Sequence, residues 1–406
     1  MTLIKLSFLY LARRWGSAML TILVGALGLA LLSTVMTMAE DIPSAVKKAL
    51  GGADMVVGPK GSELDLVMCC ALHITPTRGL IPYKDALAAV TNPYVKESVP
   101  IALGDSYNGT RILWTRPQIV DIYGAHLGQG RMWSGAMEAV IGAEAAEQQH
   151  LHLGSTMIST HGLDIGGELH TNAHYTVVGI LAPTGTVIDR LILADLKSIK
   201  VVHIDTADPD EQGPNQVAGQ GYDTDGNPIA ISAMIAKFSS PIAAAIVPRQ
   251  ISTETDLTAA NPLFEMARLS ALVRPGFNLL LIFGALFGVV AALMAAIGLM
   301  SALNARAKDL ALLRILGASR AKVARVAIQE ALILVHLAYA LGFVLALALG
   351  AVVADKMFSY GLFITPWASW HTLVILYLGA FGVAVLASII PVVRAVTADG
   401  EGALKA

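Results

Sequence analysis

The chain has 406 residues, of which 55% are hydrophobic and 14% charged, and its formal net charge is −2. A composition this apolar exceeds that of ordinary soluble domains and indicates a membrane protein. The near-neutral charge gives no indication of nucleic-acid binding. The two cysteines, Cys69 and Cys70, are adjacent and provide no disulfide framework.

Four runs of about 20 residues carry few charges and are long enough to cross a membrane as helices. They predict transmembrane helices at 17–39, 275–304, 326–354 and 372–393. The first run is longer than the roughly 7–15-residue apolar core of a signal peptide, which favours a retained helix over a cleaved leader. The predicted fold class is therefore integral membrane α-helical, with one helix before a large domain at 40–274 and three after it.

Basic residues flank the predicted helices unevenly, and their excess marks the cytoplasmic side of a membrane. The loop at 355–371, by contrast, carries only Lys356. We therefore predict that the leader at 1–16, the connector at 305–325 and the tail at 394–406 are cytoplasmic. The basic residues concerned are Lys5, Arg13, Arg14, Arg306, Lys308, Arg314, Arg320, Lys322, Arg325, Arg394 and Lys405.

The domain at 40–274 then lies on the extracytoplasmic side, and its sequence pattern predicts α+β structure. Short runs bounded by Gly or Pro, many of them rich in β-branched residues, predict strands at 54–58, 99–103, 111–114, 139–142, 157–160 and 175–181. Helices are predicted at 83–90, 116–123, 143–150 and 189–199. A further helix is predicted at 256–273, leading to Pro275 as the first residue of the second membrane helix.

The connector at 305–325 is basic and amphipathic. Read as a helix, it places leucines on one face at every third position. Gly317 suits the C-terminal end of that helix, and Ser319 suits the N-cap of the next one. Two interpretations follow from the residues alone: an ordinary interfacial helix, or a coupling helix that docks on a cytoplasmic ATPase.

The stretch KDLALLRILGASR at 308–320, followed by Glu330 at the head of the next apolar run, resembles the MacB/FtsX-like family of ABC transporter permeases. The segment SFLYLARRWG at 7–16 and the order of one helix, a large domain and three helices are also similar to that family. The resemblance implies a permease of the bacterial inner membrane that forms a homodimer and works with two copies of a separate cytoplasmic ATPase. It also implies mechanotransmission, in which ATP-driven closure on the cytoplasmic side moves the outer domains.

Carried onto this chain, the resemblance places six connector residues in or beside the ATPase contact and Glu330 at the inner membrane interface. The six are Asp309, Leu313, Arg314, Gly317, Ala318 and Ser319. The sequence has no phosphate-binding loop of the G-x-x-x-x-G-K-[ST] type. We therefore expect no catalytic residues and no cofactor in this chain, with ATP and magnesium bound by the partner subunit.

The activity implied by the resemblance is export, extrusion or the release of a lipid-anchored substrate. A periplasmic adaptor or cargo protein is a further candidate partner, and lipid surrounds the helices. An alternative is that the same mechanics activate an extracytoplasmic partner such as a cell-wall hydrolase.

Eight of the ten histidines fall in the predicted outer domain, and five of them lie between positions 150 and 174. Neutral imidazoles are ligands for zinc and related metal ions. The candidate zinc ligands are His150, His152, His161, His170 and His174. The plainer interpretation is a histidine-rich polar surface, and a zinc-linked transport or binding role is a third alternative for the function.

Overall fold

The computed structural model describes residues 13, 15–77, 79–162, 169–203, 221–224, 228–305 and 320–397. Most of the predicted leader and the end of the predicted tail lie outside the described residues. The same holds for connector residues 306–319, which include Asp309, Leu313, Arg314, Gly317, Ala318 and Ser319.

The chain divides into two compact units. The membrane unit comprises Met1–Ile42, Leu272–Phe358 and Ile364–Ala406, and the large domain comprises Pro43–Ala271 and Ser359–Phe363. The α-helices among the described residues are α1 (Trp15–Leu50), α2 (Glu63–Cys70), α3 (Tyr83–Val90), α4 (Ile119–Tyr123), α5 (Ala143–Gln148), α6 (Ser198–His203), α7 (Ala243–Glu254), α8 (Pro262–Ala305), α9 (Arg320–Ser359) and α10 (Trp370–Thr397).

Four of these helices, α1, α8, α9 and α10, are long and apolar enough to cross a membrane, within the part of the chain that the structure describes. One precedes the large domain in sequence and three follow it. The predicted fold class is therefore confirmed: a membrane protein with four apolar helices and a large mixed α/β domain between the first and the second.

Helix α1 lies at the centre of the membrane unit. Of its most apolar 18-residue window, 39% is buried, against 6% for α8, 17% for α9 and 11% for α10. The cause is a set of small residues that let the backbones approach closely. A Cβ atom placed on Gly28 would lie 3.0 Å from the carbonyl oxygen of Gly284 on α8, and one on Gly25 would lie 3.3 Å from the Cβ of Ala338 on α9.

The strands of the large domain, among its described residues, alternate with short helices along the chain. They are β1 (Met55–Pro59), β2 (Ile81–Pro82), β3 (Val95–Tyr107), β4 (Thr110–Thr115), β5 (Leu127–Gly130), β6 (Glu138–Ile141), β7 (Thr156–His161), β8 (Leu169–Leu181), β9 (Ile192–Asp195), β10 (Ala230–Ile231), β11 (Ala233–Phe238) and β12 (Leu257–Ala260). Ten of them form one sheet in the order β12-β1-β11-β3-β4-β9-β6-β8-β5, with β7 pairing with β3 and β8. Strands β2 and β10 pair separately.

The large domain has two hydrophobic core clusters, and the long strand β3 runs beside both of them. Its first part pairs with β11 and its second part with β4 and β7. One buried cluster contains Trp114 and Tyr175 beside the second part. Another contains Met55 and Met234 beside the first part. Residues near the C-terminal end of β3 are therefore held by strands on both of its sides.

All six predicted strands fall on observed strands, and three of the predicted helices fall on α3, α4 and α5. The helix predicted at 189–199 is wrong. That stretch contains strand β9, which pairs in parallel with β4 through Ile192 and Ile112. The stretch carries no Gly or Pro to mark a break, so only its distant partner strand selects the extended form.

The helix predicted at 256–273 is correct only in its later part, because β12 occupies its start. Pro275 lies inside α8 and is not the first residue of a membrane helix. Proline removes one backbone hydrogen bond but is tolerated within long membrane helices.

Candidate functional site

Glu330, the residue predicted to lie at the inner membrane interface, is among the described residues, whereas the six predicted ATPase-contact residues are not. It lies on α9, close to the start of the apolar span Ile328–Phe358, and only 5% of its surface is exposed. It lines a cavity of about 440 Å³ within the membrane unit, together with Ser17 and Thr21 of α1 and Ser388 of α10. Most of the remaining lining is Ala, Gly, Leu and Val, so these four are the polar residues of an otherwise apolar lining.

Of the five candidate metal ligands, the structure brings two together, His161 and His170. A third group, Asp105, which the sequence did not single out, completes the cluster. The Nδ1 atom of His161 lies 3.6 Å from Asp105 Oδ1, and the Nε2 atom of His170 lies 3.5 Å from Asp105 Oδ2. One candidate ligand atom from each residue lies within 4.8 Å of the other two.

Strand pairing positions this cluster. Asp105 near the end of β3 is directly opposite His161 at the end of β7, in an antiparallel ladder. Directly opposed residues of two paired strands project from the same face of a sheet. The position of Asp105 and His161 is therefore a consequence of sheet register and not of a flexible loop.

An irregularity between β7 and β8 brings in His170. Ile158 pairs with His174, but Thr160 pairs with Leu169, so the register shifts between these two pairs. A change of register by an odd number of residues reverses which side chains face inward. His170 is accordingly buried beside Asp105, whereas His174 is exposed.

The other predicted ligands lie apart from this cluster. His150 follows α5 in a left-handed backbone conformation, with φ of 53°, and its side chain is exposed. His152 is exposed in the turn before β7, where its backbone N–H donates to the Ser155 hydroxyl. Among the described residues, only Asp105, His161 and His170 place three metal-capable side chains within reach of one ion.

The surroundings of the cluster are polar on one side and tightly packed on the other. The Ser159 hydroxyl donates a 2.8 Å hydrogen bond to Asp105 Oδ2, and the Ser106 and Thr160 hydroxyls lie 3.3 Å apart. On the packed side, Trp114 Nε1 donates a 2.8 Å hydrogen bond to the Tyr175 hydroxyl. Burial, with a smaller contribution from the charge of Asp105, raises the pKa of Tyr175 well above its usual range. Tyr175 therefore stays neutral.

Two family models match this chain, one over its first membrane helix and most of its large domain and the other over its last three membrane helices. The MacB-like periplasmic core domain matches residues 18–252, and the FtsX-like permease C-terminal region matches residues 281–399. The first match alone covers more than half of the chain. Together with the four membrane helices, these matches define the class as a transporter permease.

The chain belongs to the MacB/FtsX-like family of ABC transporter permeases. Permeases of this family work with a cytoplasmic ABC ATPase and are not themselves the catalytic subunit. The resemblance read from the connector sequence is thereby confirmed.

The solved structures similar to this chain include two extracytoplasmic domains of transporters. One is the periplasmic region of MacB from Actinobacillus actinomycetemcomitans, at 12% identity, covering 55% of this chain and 95% of that chain with a TM-score of 0.34. The other is the extracellular domain of the noncanonic ABC-type transporter YknZ from Gram-positive bacteria, at 13% identity, covering 51% and 99% with a TM-score of 0.28. No curated protein sequence matches the chain.

Proposed function

We propose that this chain is the membrane subunit of an ABC transporter complex that converts ATP hydrolysis by a separate cytoplasmic ATPase into movement of its large domain. The work done is the export, extrusion or release of a substrate on the far side of the bacterial inner membrane. The observation that carries the proposal is the pair of family matches, which together span residues 18–252 and 281–399.

The charge distribution supports the orientation needed for this function. The leader carries three Lys or Arg residues, the connector six and the tail two, whereas the loop at 355–371 has a single lysine. Such an excess is retained on the cytoplasmic side. In the proposed arrangement both termini and the connector face the ATPase, and the large domain lies in the periplasm.

The connector is the part of the chain that we assign to the ATPase contact, with Asp309, Leu313, Arg314, Gly317, Ala318 and Ser319 as the contact residues. A homodimer of the chain on two ATPase copies is the proposed assembly, as the family resemblance implies. The buried Glu330 and the hydroxyls of Ser17 and Thr21 line the cavity of the membrane unit. We assign to Glu330 the transfer of connector movement into the helices.

The proposal is tested with full-length chain purified together with the ATPase that accompanies it. Arg314→Glu reverses a charge in the proposed contact, and Gly317→Asp places a charged side chain in the predicted turn. Both are expected to reduce the stimulation of ATP hydrolysis by the permease at least about tenfold, since about 1.4 kcal/mol of lost coupling gives that factor. Arg249→Glu, an exposed charge reversal on α7, is the matched control and should leave the stimulation unchanged.

Two results would count against the proposal at different levels. If Arg314→Glu and Gly317→Asp stimulate ATP hydrolysis like the unmodified chain, the assignment of the connector is wrong. If no ATPase accompanies the full-length chain at all, the assignment as a transporter subunit is wrong.

A further inference from the structure

We propose that Asp105, His161 and His170 of the large domain bind one divalent transition-metal ion, with zinc as the best-fitting metal. The site is independent of the ATPase contact, because all three residues lie in the large domain, outside the connector and the membrane helices. Of the five histidines that the sequence offers as metal ligands, the proposed site uses His161 and His170, and Asp105 supplies a carboxylate as the third ligand.

The ligand set fits the chemistry of zinc. Two imidazole nitrogens and one carboxylate oxygen are a common three-ligand set for Zn²⁺, with metal–ligand distances of about 2.0–2.2 Å. In a tetrahedral site with such bonds, neighbouring ligand atoms are about 3.3 Å apart. The two His–Asp separations of 3.5 Å and 3.6 Å, which end on different oxygens of Asp105, are close to this value.

These same separations are longer than a normal nitrogen–oxygen hydrogen bond, which is about 2.7–3.2 Å. The two imidazole rings meet edge to face, with centroids 6.1 Å apart and planes at 81°. Each ring therefore directs a nitrogen toward Asp105 without stacking on the other ring. One ligand atom from each of the three residues lies within 4.8 Å of the other two, so one ion could contact all three once the side chains close around it.

The surrounding structure holds the ligands in place. Asp105 and His161 are fixed by the β3–β7 pairing, and the backbone N–H of Gly162, the next residue, donates a 2.8 Å hydrogen bond to the Gly104 carbonyl. The hydrogen bond from Ser159 to Asp105 Oδ2 orients the carboxylate. Residues that hydrogen-bond to a metal ligand commonly fix the orientation of that ligand and raise the affinity of the site for the metal.

Burial explains both the attraction for a cation and the route by which it enters. The side chains of Asp105 and His170 are 0% and 6% exposed, whereas that of His161 is 32% exposed. A buried carboxylate attracts a cation more strongly than an exposed one, because water screens its charge less. His161 is the most exposed of the three ligands, and a zinc ion held by three protein ligands takes water or another ligand in its fourth position.

Binding is measured on the full-length chain in detergent after removal of metals with a chelator. Co²⁺ is titrated first, because its visible absorption reports nitrogen and oxygen ligands in a four-coordinate site, and Zn²⁺ is then added to displace it. We expect one ion per chain. Asp105→Asn and His170→Gln should each weaken Zn²⁺ binding by more than about 100-fold, and Ser159→Ala by about 10–100-fold.

The matched control is the double variant His150→Ala with His152→Ala, which removes two exposed histidines outside the cluster and should bind Zn²⁺ like the unmodified chain. The thermal unfolding midpoint without metal identifies any variant that fails to fold, and Ser159→Ala serves as the mildest change. The proposal is overturned if Asp105→Asn and His170→Gln fold and bind Zn²⁺ normally, or if the double variant loses binding. It is also overturned if the full-length chain binds no ion, which would leave Asp105, His161 and His170 as an ion-pair cluster.

Discussion

Thr372 in the first turn of α10 donates a hydrogen bond of 3.2 Å to Glu40 of α1, a residue 332 positions earlier in the chain. Ser369 donates a second hydrogen bond to the same carboxylate, at 3.4 Å. Asp41 accepts two more, from the backbone N–H of Thr365 at 3.1 Å and from its hydroxyl at 2.6 Å. Two adjacent acids of α1 thus fix the segment that leads into α10 within the membrane unit.

The first prediction concerns Asp41 and Thr365. Asp41→Ala removes both hydrogen bonds to this exposed carboxylate, and Thr365→Val removes the one from the hydroxyl. Each change should lower stability by about 1 kcal/mol. Together they should cost less than the sum of the two, since both remove the same hydroxyl–carboxylate contact. Thermal unfolding of the full-length single and double variants in detergent measures this coupling.

The control for this pair of variants is Asp41→Ala combined with Thr372→Val, because the hydroxyl of Thr372 donates its hydrogen bond to Glu40 and not to Asp41. The effects of this second pair should be additive. Additivity in the Asp41 and Thr365 pair would show that their contact contributes nothing to stability.

The second prediction tests the close packing of α1 on α8. A Cβ on Gly28 would lie 2.9 Å from the Cβ of Phe287 and 3.0 Å from the Gly284 carbonyl oxygen, whereas one on Gly379 of α10 meets nothing within 4 Å. Gly28→Ala should therefore destabilise the membrane unit by about 1–3 kcal/mol through overpacking. Gly379→Ala should be neutral or slightly stabilising, because alanine favours the helix.

The comparison is made by heating both purified variants under the same detergent conditions and recording the loss of folded chain. Equal unfolding midpoints for Gly28→Ala and Gly379→Ala would contradict the packing of α1 against α8.

The membrane helices could be predicted because their signal is an average over about 20 residues, and single exceptions such as Pro275 do not change it. The strands of the large domain could be predicted from β-branched runs such as those in β4 and β8. Strand β9 could not, because its extended form depends on pairing with β4, which lies about 80 residues earlier. Local sequence contains no information on that partner.

The metal-site candidates show the same division. His161 and His170 could be selected as candidate ligands because imidazole is a ligand type that stands out in sequence. Asp105 could not, since it reaches His161 only through the β3–β7 pairing. The register shift between Ile158 and Thr160 also separates His170 from His174, which simple alternation along β8 would have kept on one face.

The third prediction concerns the buried contact between Trp114 and Tyr175. Both side chains are fully buried, and Trp114 Nε1 donates to the Tyr175 hydroxyl at 2.8 Å. Tyr175→Phe removes the acceptor and should lower stability by about 1–3 kcal/mol. Tyr94→Phe, at a half-exposed tyrosine, is the control and should change stability by less than about 0.5 kcal/mol.

Denaturant unfolding of the full-length chain, followed by the fluorescence of its five tryptophans, measures the change in stability. If Tyr175→Phe and Tyr94→Phe unfold at the same denaturant concentration, the buried hydrogen bond has no net effect on stability.

The last prediction follows from His73, whose two ring nitrogens are buried and accept or donate no hydrogen bond among the described residues. Burial, reinforced by the positive charges of Arg111 and Arg190, lowers the pKa of His73 from 6.5 to about 3. Between these two values the unfolded chain takes up a proton that the folded chain does not. The free energy of unfolding is therefore highest above pH 6.5, the ordinary pKa of histidine, as far as His73 determines it. It falls as the pH drops from there toward about 3, by at most about 1.4 kcal/mol per pH unit.

His73→Asn should reduce this loss of stability at acid pH, because asparagine does not titrate. Asparagine also tolerates the left-handed backbone conformation of residue 73, with φ of 55°. The measurement is the unfolding midpoint of the full-length chain at a series of pH values from about 7 to about 4. The exposed His126, changed to Asn, is the matched control and should retain the acid slope of the unmodified chain. An unchanged slope in His73→Asn would show that another group causes the loss of stability in acid.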